Sequence, residues 1–169
     1  PGGGCGSAMY DSAGGSYGGV GYGTTGCSAG PSYGSALTPT DLGSGGGGAT
    51  TCAGGVCPAG RVGGNGGGAI RLIVTGTLTN NGTISANGGH GGPNSPPSLD
   101  AYAVGGSGGS IWATVGTLTG SGVFTANGGL RYWGEQPVSG GGGGRVAVYY
   151  AVNGGFTGFN TSTANGGPG

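Results

Sequence analysis

The chain has 169 residues; 53 are glycine, and its charged residues are four arginines and four acids, with one histidine, no lysine and zero net charge. The glycines do not fall on every third position, which excludes a collagen triple helix. Four scattered arginines cannot form the basic face that a nucleic acid requires, no apolar run approaches the roughly 18 residues that span a bilayer, and zero net charge is not the signature of a disordered chain.

Residues 1–68 hold 26 of the glycines and only short apolar words, "AMY", "VGY" and "SYGSAL". This segment is expected to wrap or cap residues 69–169, the two parts forming one compact domain. No initiator methionine or signal peptide is present, and the opening "PGGGCG" and closing "NGGPG" read as a piece of a longer or processed polypeptide. The four cysteines are Cys5, Cys27, Cys52 and Cys57, with 21, 24 and 4 residues between them. Zinc sites usually take two close pairs, so that spacing argues against zinc. An even count in a small glycine-rich chain fits disulfides and an oxidising compartment. Three pairings are possible; Cys5–Cys27 with Cys52–Cys57 is favoured because each closes a short loop.

The clear strands lie in residues 69–169, each after a glycine run: "AIRLIVT" at 69–75, "SIWATV" at 110–115 and "RVAVYYAV" at 145–152. They are rich in β-branched and aromatic residues and too short for a typical helix. In register, Ile70 aligns with Ile111 and Val146. Leu72 aligns with Ala113 and Val148, and Val74 with Val115 and Tyr150. Side chains alternate along a strand, so this set forms one apolar face. The intervening set, which includes Arg71, Trp112 and Tyr149, is expected outward or beneath a covering loop.

"GTLT" begins at Gly76 and Gly116, 40 residues apart, and "ANGG" begins at Ala86, Ala126 and Ala164, at intervals of 40 and 38. A fixed period signals stacked units, each too small to bury its own apolar face. Each unit reads as strand, tight turn, strand, turn, strand and variable loop. The expected fold is all-β, a β-solenoid or β-helix-like stack of about three repeats with long glycine-rich loops. In such a stack Ile84 and Phe124 occupy equivalent layers. Ala86, Ala126 and Ala164 fit an inward corner. Asn87, Asn127 and Asn165 form a structural ladder through their amides. The glycine pair after each asparagine is expected to supply a turn at no Cβ cost.

The phrases "GGGAIRLIVTGTLTNNGTISANGG", "GGSGGSIWATVGTLTGSGVFTANGG" and "GGGGGRVAVYYA" resemble glycine-rich repeat regions of very large surface proteins of protists and bacteria. Residues 33–48, "YGSALTPTDLGSGGGG", resemble the stretch that precedes the first repeat in those proteins. The resemblance implies an extracellular, wall or appendage setting. The cysteines of the first half and the "PNSPPSLDAY" loop depart from it.

No catalytic constellation emerges, and no enzyme activity, cofactor or metal is expected. His90 sits in "GGHGG" and has no triad spacing with Asp11, Asp41 or Asp100. Asp100 and Glu135 lie in successive variable loops, where stacking would bring together two carboxylates of the glycosidase kind, but solvated loop acids are the rule. The absence of lysine removes phosphate-loop and Schiff-base chemistry. Asn81-Gly82-Thr83 and Asn160-Thr161-Ser162 have the form of N-glycosylation acceptors. The expected function is structural: a subunit or module of an extracellular fibre, sheath or surface layer that binds copies of itself head-to-tail. One alternative is an adhesin gripping glycans with Trp112, Tyr132, Trp133 and Tyr149. The other is an ice-binding protein with threonine rows at Thr75, Thr77, Thr79, Thr117 and Thr119.

Overall fold

The computed structural model describes residues 2–6, 12–24, 26–48, 51–52, 55–56, 62–92, 103–133 and 136–167. Its elements in chain order are β1 (Thr51–Cys52), β2 (Gly55–Val56), β3 (Ala69–Thr79), β4 (Thr83–Ser85), β5 (Ser110–Thr119), β6 (Val123–Thr125), β7 (Leu130–Trp133), β8 (Gln136–Gly140), β9 (Arg145–Asn153) and a 3-10 helix at Gly158–Thr161. The described chain is therefore all-β apart from one helical turn.

The repeat in the sequence becomes parallel pairing in space. Strands β3, β5 and β9 form one parallel sheet in that order, and β4 pairs with β6, extended by a single bridge from Thr125 to Thr163. Ile70 lies opposite Ile111 and Ile111 opposite Val146; Leu72 lies opposite Ala113 and Ala113 opposite Val148. The offset between β3 and β5 is 41 residues at Ile70–Ile111 but 40 at Thr77–Thr117, so β3 carries one extra residue, and a bulge falls between Val74 and Thr77. Beyond it the buried parity switches from Ile111, Ala113 and Val115 to Leu118. These side chains pack with Phe124 and Phe156 into the core between the sheets.

Upstream of the sheets, glycine-rich segments lie side by side and bond through their backbones. Segment 103–109 is the hub. Its N–H groups at Val104 and Ser107 donate to the carbonyls of Gly47 and Ser44, those of Gly106 and Gly109 to Gly89 and Ala86, and that of Gly108 to Gly142. Its carbonyls at Val104 and Ser107 accept from Gly64 and Gly67, that of Gly105 from Gly15, and that of Gly106 from Gly129. The partner recurs every third residue. That is the period of a polyproline II helix, which makes no hydrogen bonds within itself. Six neighbours around one such segment is hexagonal packing, and residues 103–110 are all buried.

Glycine is needed in this bundle for its missing Cβ. Left-handed φ is confined to Gly2, Gly34, Gly92, Gly120 and Gly155 among the described glycines. A Cβ on Gly106 would strike the carbonyl of Asn65, one on Gly108 that of Ala126, and one on Gly109 that of Gly68. The third face is looser: Val104, Ser107 and Ser110 recur at the same period with side chains, and Ser107 Oγ accepts the Ser44 N–H at 2.8 Å. The turn expected at each "ANGG" is absent. Gly88 and Gly128 lie without positive φ in extended return segments, pressed against the carbonyls of Gly106 and Gly141.

The first half does not stand apart from the second. Residues 62–68 run straight into β3, and segments 12–16 and 43–47 complete the ring around 103–109. Residues 33–42 cross the outer face of the large sheet, supplying the covering loop expected there. Ser110 gives its hydroxyl proton to the Asp41 carbonyl at 2.6 Å, so the buried Tyr17 hydroxyl donates to Ser110 Oγ, also at 2.6 Å. Arg145 Nε and Nη2 donate to the Tyr33 carbonyl at 3.2 and 2.8 Å, and the Tyr149 hydroxyl donates to that of Leu37 at 2.8 Å. A disulfide joins Cys5 to Cys27. Cys57 lies outside the described residues, and with it the expected Cys52–Cys57 bridge.

Candidate functional site: the open ends of the layer stack

The parallel pairing defines three layers: β3 with β4, β5 with β6, and β9 with the 3-10 helix. Their burial is unequal although their sequences match. In the middle layer Ile111, Ala113, Leu118, Phe124 and Ala126 are fully buried. Their counterparts Ile70, Leu72 and Ile84 in the first layer and Val146 and Val148 in the third are only half-buried, and Ala164 is exposed. Tyr150 and Val152 on β9 are 41% and 55% exposed. Being the outer strands of their sheet, β3 and β9 each present one backbone edge that no described residue pairs. The covering segment lies on the face of the sheet, so among the described residues both ends of the stack are open.

The three asparagines stand in file beside the return segments. The Asn127 N–H donates to Asn87 Oδ1 at 2.7 Å, and the Asn165 N–H donates to Asn127 Oδ1 at 2.9 Å. Each bond runs from the backbone N–H of one asparagine to the side-chain amide oxygen of the asparagine before it. Their polarity is uniform, each Oδ1 serving the layer above. His90 extends the scheme: its Nδ1 accepts the Leu130 N–H at 2.9 Å across the same 40-residue step.

At the turn between β3 and β4 the two adjacent asparagines divide the work. Asn80 is buried and its Oδ1 accepts the Gly82 N–H at 3.1 Å. Asn81 is exposed, with Oδ1 accepting the Ser121 N–H at 3.2 Å. Asn160 is also exposed, in the 3-10 helix, but Ser162 of its sequon is engaged, donating to the Gly158 carbonyl at 2.8 Å and accepting the Phe124 N–H at 3.0 Å.

The remaining candidates do not converge. Trp112 lies beneath the Arg71 guanidinium, 4.4 Å from its ring centroid. Tyr132 and Trp133 lie in β7, in a hairpin with β8. Thr77 and Thr79 pair with Thr117 and Thr119, and the Thr79 and Thr119 hydroxyls bond each other at 2.8 Å, but Val152 stands opposite Thr117 in the third layer. Asp11, Asp100 and Glu135 lie outside the described residues. Asp41 lines a shallow groove with Tyr33, Thr40 and Ser44 and is the single charged residue there among those described. Among the described residues no group of three His, Cys, Asp or Glu side chains could hold a metal ion, and no helix is long and apolar enough to cross a membrane. No protein-family model, curated protein or solved structure matches the chain.

Sequence reasoning missed three structural residues. Tyr17 is the largest of the fully buried side chains; it hid in "GGSYGG", where no apolar period marks it. Asn80 was masked by its sequon neighbour. His90 gave a usable signal, its place directly after "ANGG".

Proposed function

We propose that this chain is a structural module of an extracellular fibre, sheath or surface layer, a short β-solenoid whose layers add end to end. The observation that carries the reading is the contrast between the middle layer, whose inward side chains are wholly buried, and two outer layers of like sequence, whose counterparts are mostly left half-open. A neighbour on either side would give them the burial that the middle layer already has. Apolar burial drives such contacts at roughly 25 cal/mol per Å², and the open backbone edges add a row of hydrogen bonds. The near absence of charge removes the usual guard against edge pairing. Ends that match each other make a heterologous contact, which propagates. The extracellular setting rests on the Cys5–Cys27 disulfide and on the resemblance to repeat regions of surface proteins.

The test is assembly of the purified, oxidised chain. Light scattering across concentration and salt, with electron micrographs of the same samples, should show elongated particles that grow with concentration. A monodisperse 15.5 kDa species under all conditions would overturn the reading. Thermal hysteresis or glycan capture without assembly would instead favour the ice-binding or adhesin alternatives. Both have weaker support, since the threonine rows are two layers wide and the Trp112 face is already occupied by Arg71.

A further inference from the structure

We infer that the outer side of β3 is a seat for the third layer of a second copy, docked in the register that the layers hold within one chain. The inference rests on the structural-module reading above and names its interface. Within the chain each layer sits on the previous one through glycine. A Cβ on Gly109 would strike the Gly68 carbonyl, one on Gly116 that of Thr75, and one on Gly122 that of Gly82. The third layer repeats the arrangement at two of the three positions, with Gly144 on the Gly109 carbonyl and Gly158 on that of Gly122, and has Ala151 at the middle one. Glycine stands at these positions because a carbonyl of the preceding layer presses there.

The first layer has glycine at the same three positions although no layer precedes it among the described residues. Gly68, Gly76 and Gly82 are exposed, none has positive φ, and nothing lies within 4 Å of where a Cβ would stand. Gly82 stands in the β3–β4 turn, but no left-handed φ and no neighbour among the described residues calls for glycine at any of the three, whereas a carbonyl row from another layer does. The asparagine file has the same polarity. It ends at Asn165, whose exposed Oδ1 meets no donor among the described residues, and it begins at Asn87, whose N–H a docked copy would bring to that oxygen. The seat is confined to the sheet. Asn65 stands where Gly106 and then Gly141 press on the layer before, so the glycine bundle does not continue across the junction.

The test compares wild type with the triple variant Gly68→Ala, Gly76→Ala, Gly82→Ala, using sedimentation and electron microscopy for assembly and circular dichroism melting for the fold. The added methyl groups face open space in the single chain, so melting should be unchanged. In the junction those at positions 68 and 82 would meet backbone, and onset of assembly should move to at least about tenfold higher concentration. Assembly of the triple variant at the wild-type concentration would overturn the seat while leaving the structural-module reading intact. A wild-type chain that never assembles would overturn that reading and the seat with it. Should the triple variant melt early, Asn165→Ala decides. Its side chain accepts nothing from the described residues, so weaker assembly at unchanged melting supports the seat, and unchanged assembly overturns it.

Discussion

Asn87 and Asn127 each serve a backbone N–H of the next layer, while Asn165 serves none among the described residues. Replacing Asn127 with Ala should therefore destabilise the fold by about 1 kcal/mol or less, the bond being solvent-exposed, and Asn165→Ala should leave stability unchanged. Urea denaturation of both variants checks the pair. The file was legible because "ANGG" is written three times. Its chemistry was not, since the spelling of a repeat does not say whether the partner is an amide or a main-chain N–H. Tyr17 shows the opposite case. Wholly buried, bonded to Ser110 and packed 4.9 Å from the Tyr33 ring, it fastens the first half to the sheet. Tyr17→Phe should cost about 1 kcal/mol, and Tyr17→Ala about 3–5 kcal/mol, by thermal melting. Nothing in its glycine surroundings distinguished it from a surface tyrosine.

At the scale of elements, the strands and their register were readable because Ile70, Ile111 and Val146 carry matching apolar alternation. Even the bulge was present in the sequence, as the change from a 41-residue to a 40-residue offset. The glycine bundle was not readable. In collagen each chain has one crowded side, so glycine recurs every third residue. Segment 103–109 is crowded on more than one of its three faces, so glycines run in pairs and the period that would have announced the helix is hidden. The bundle has a measurable consequence. Amide hydrogens of Gly106, Gly108 and Gly109 should exchange as slowly as those of β5, since each is buried and bonded to a neighbouring segment. Exchange at loop rates would show that these segments are not packed as described.

For the whole molecule, the first half acts as lateral support. It closes one side of the bundle and covers the sheet face, and its disulfide links residues 22 apart in sequence. Replacing Cys5 and Cys27 with Ser should lower stability by about 3 kcal/mol through the larger entropy of the unfolded chain. Denaturant titration checks the value, and assembly should persist under conditions where the variant remains folded, because neither cysteine lies at the stack's ends. The central claim concerns those ends. If copies dock in the register of the internal layers, each adds three strand spacings to a fibre. Helical reconstruction of fibres grown from the purified chain should then give an axial rise of about 14 Å per subunit, three times roughly 4.8 Å, with β9 of one copy beside β3 of the next. A rise unrelated to that spacing, or subunits joined through the bundle or the covering segment, would contradict it.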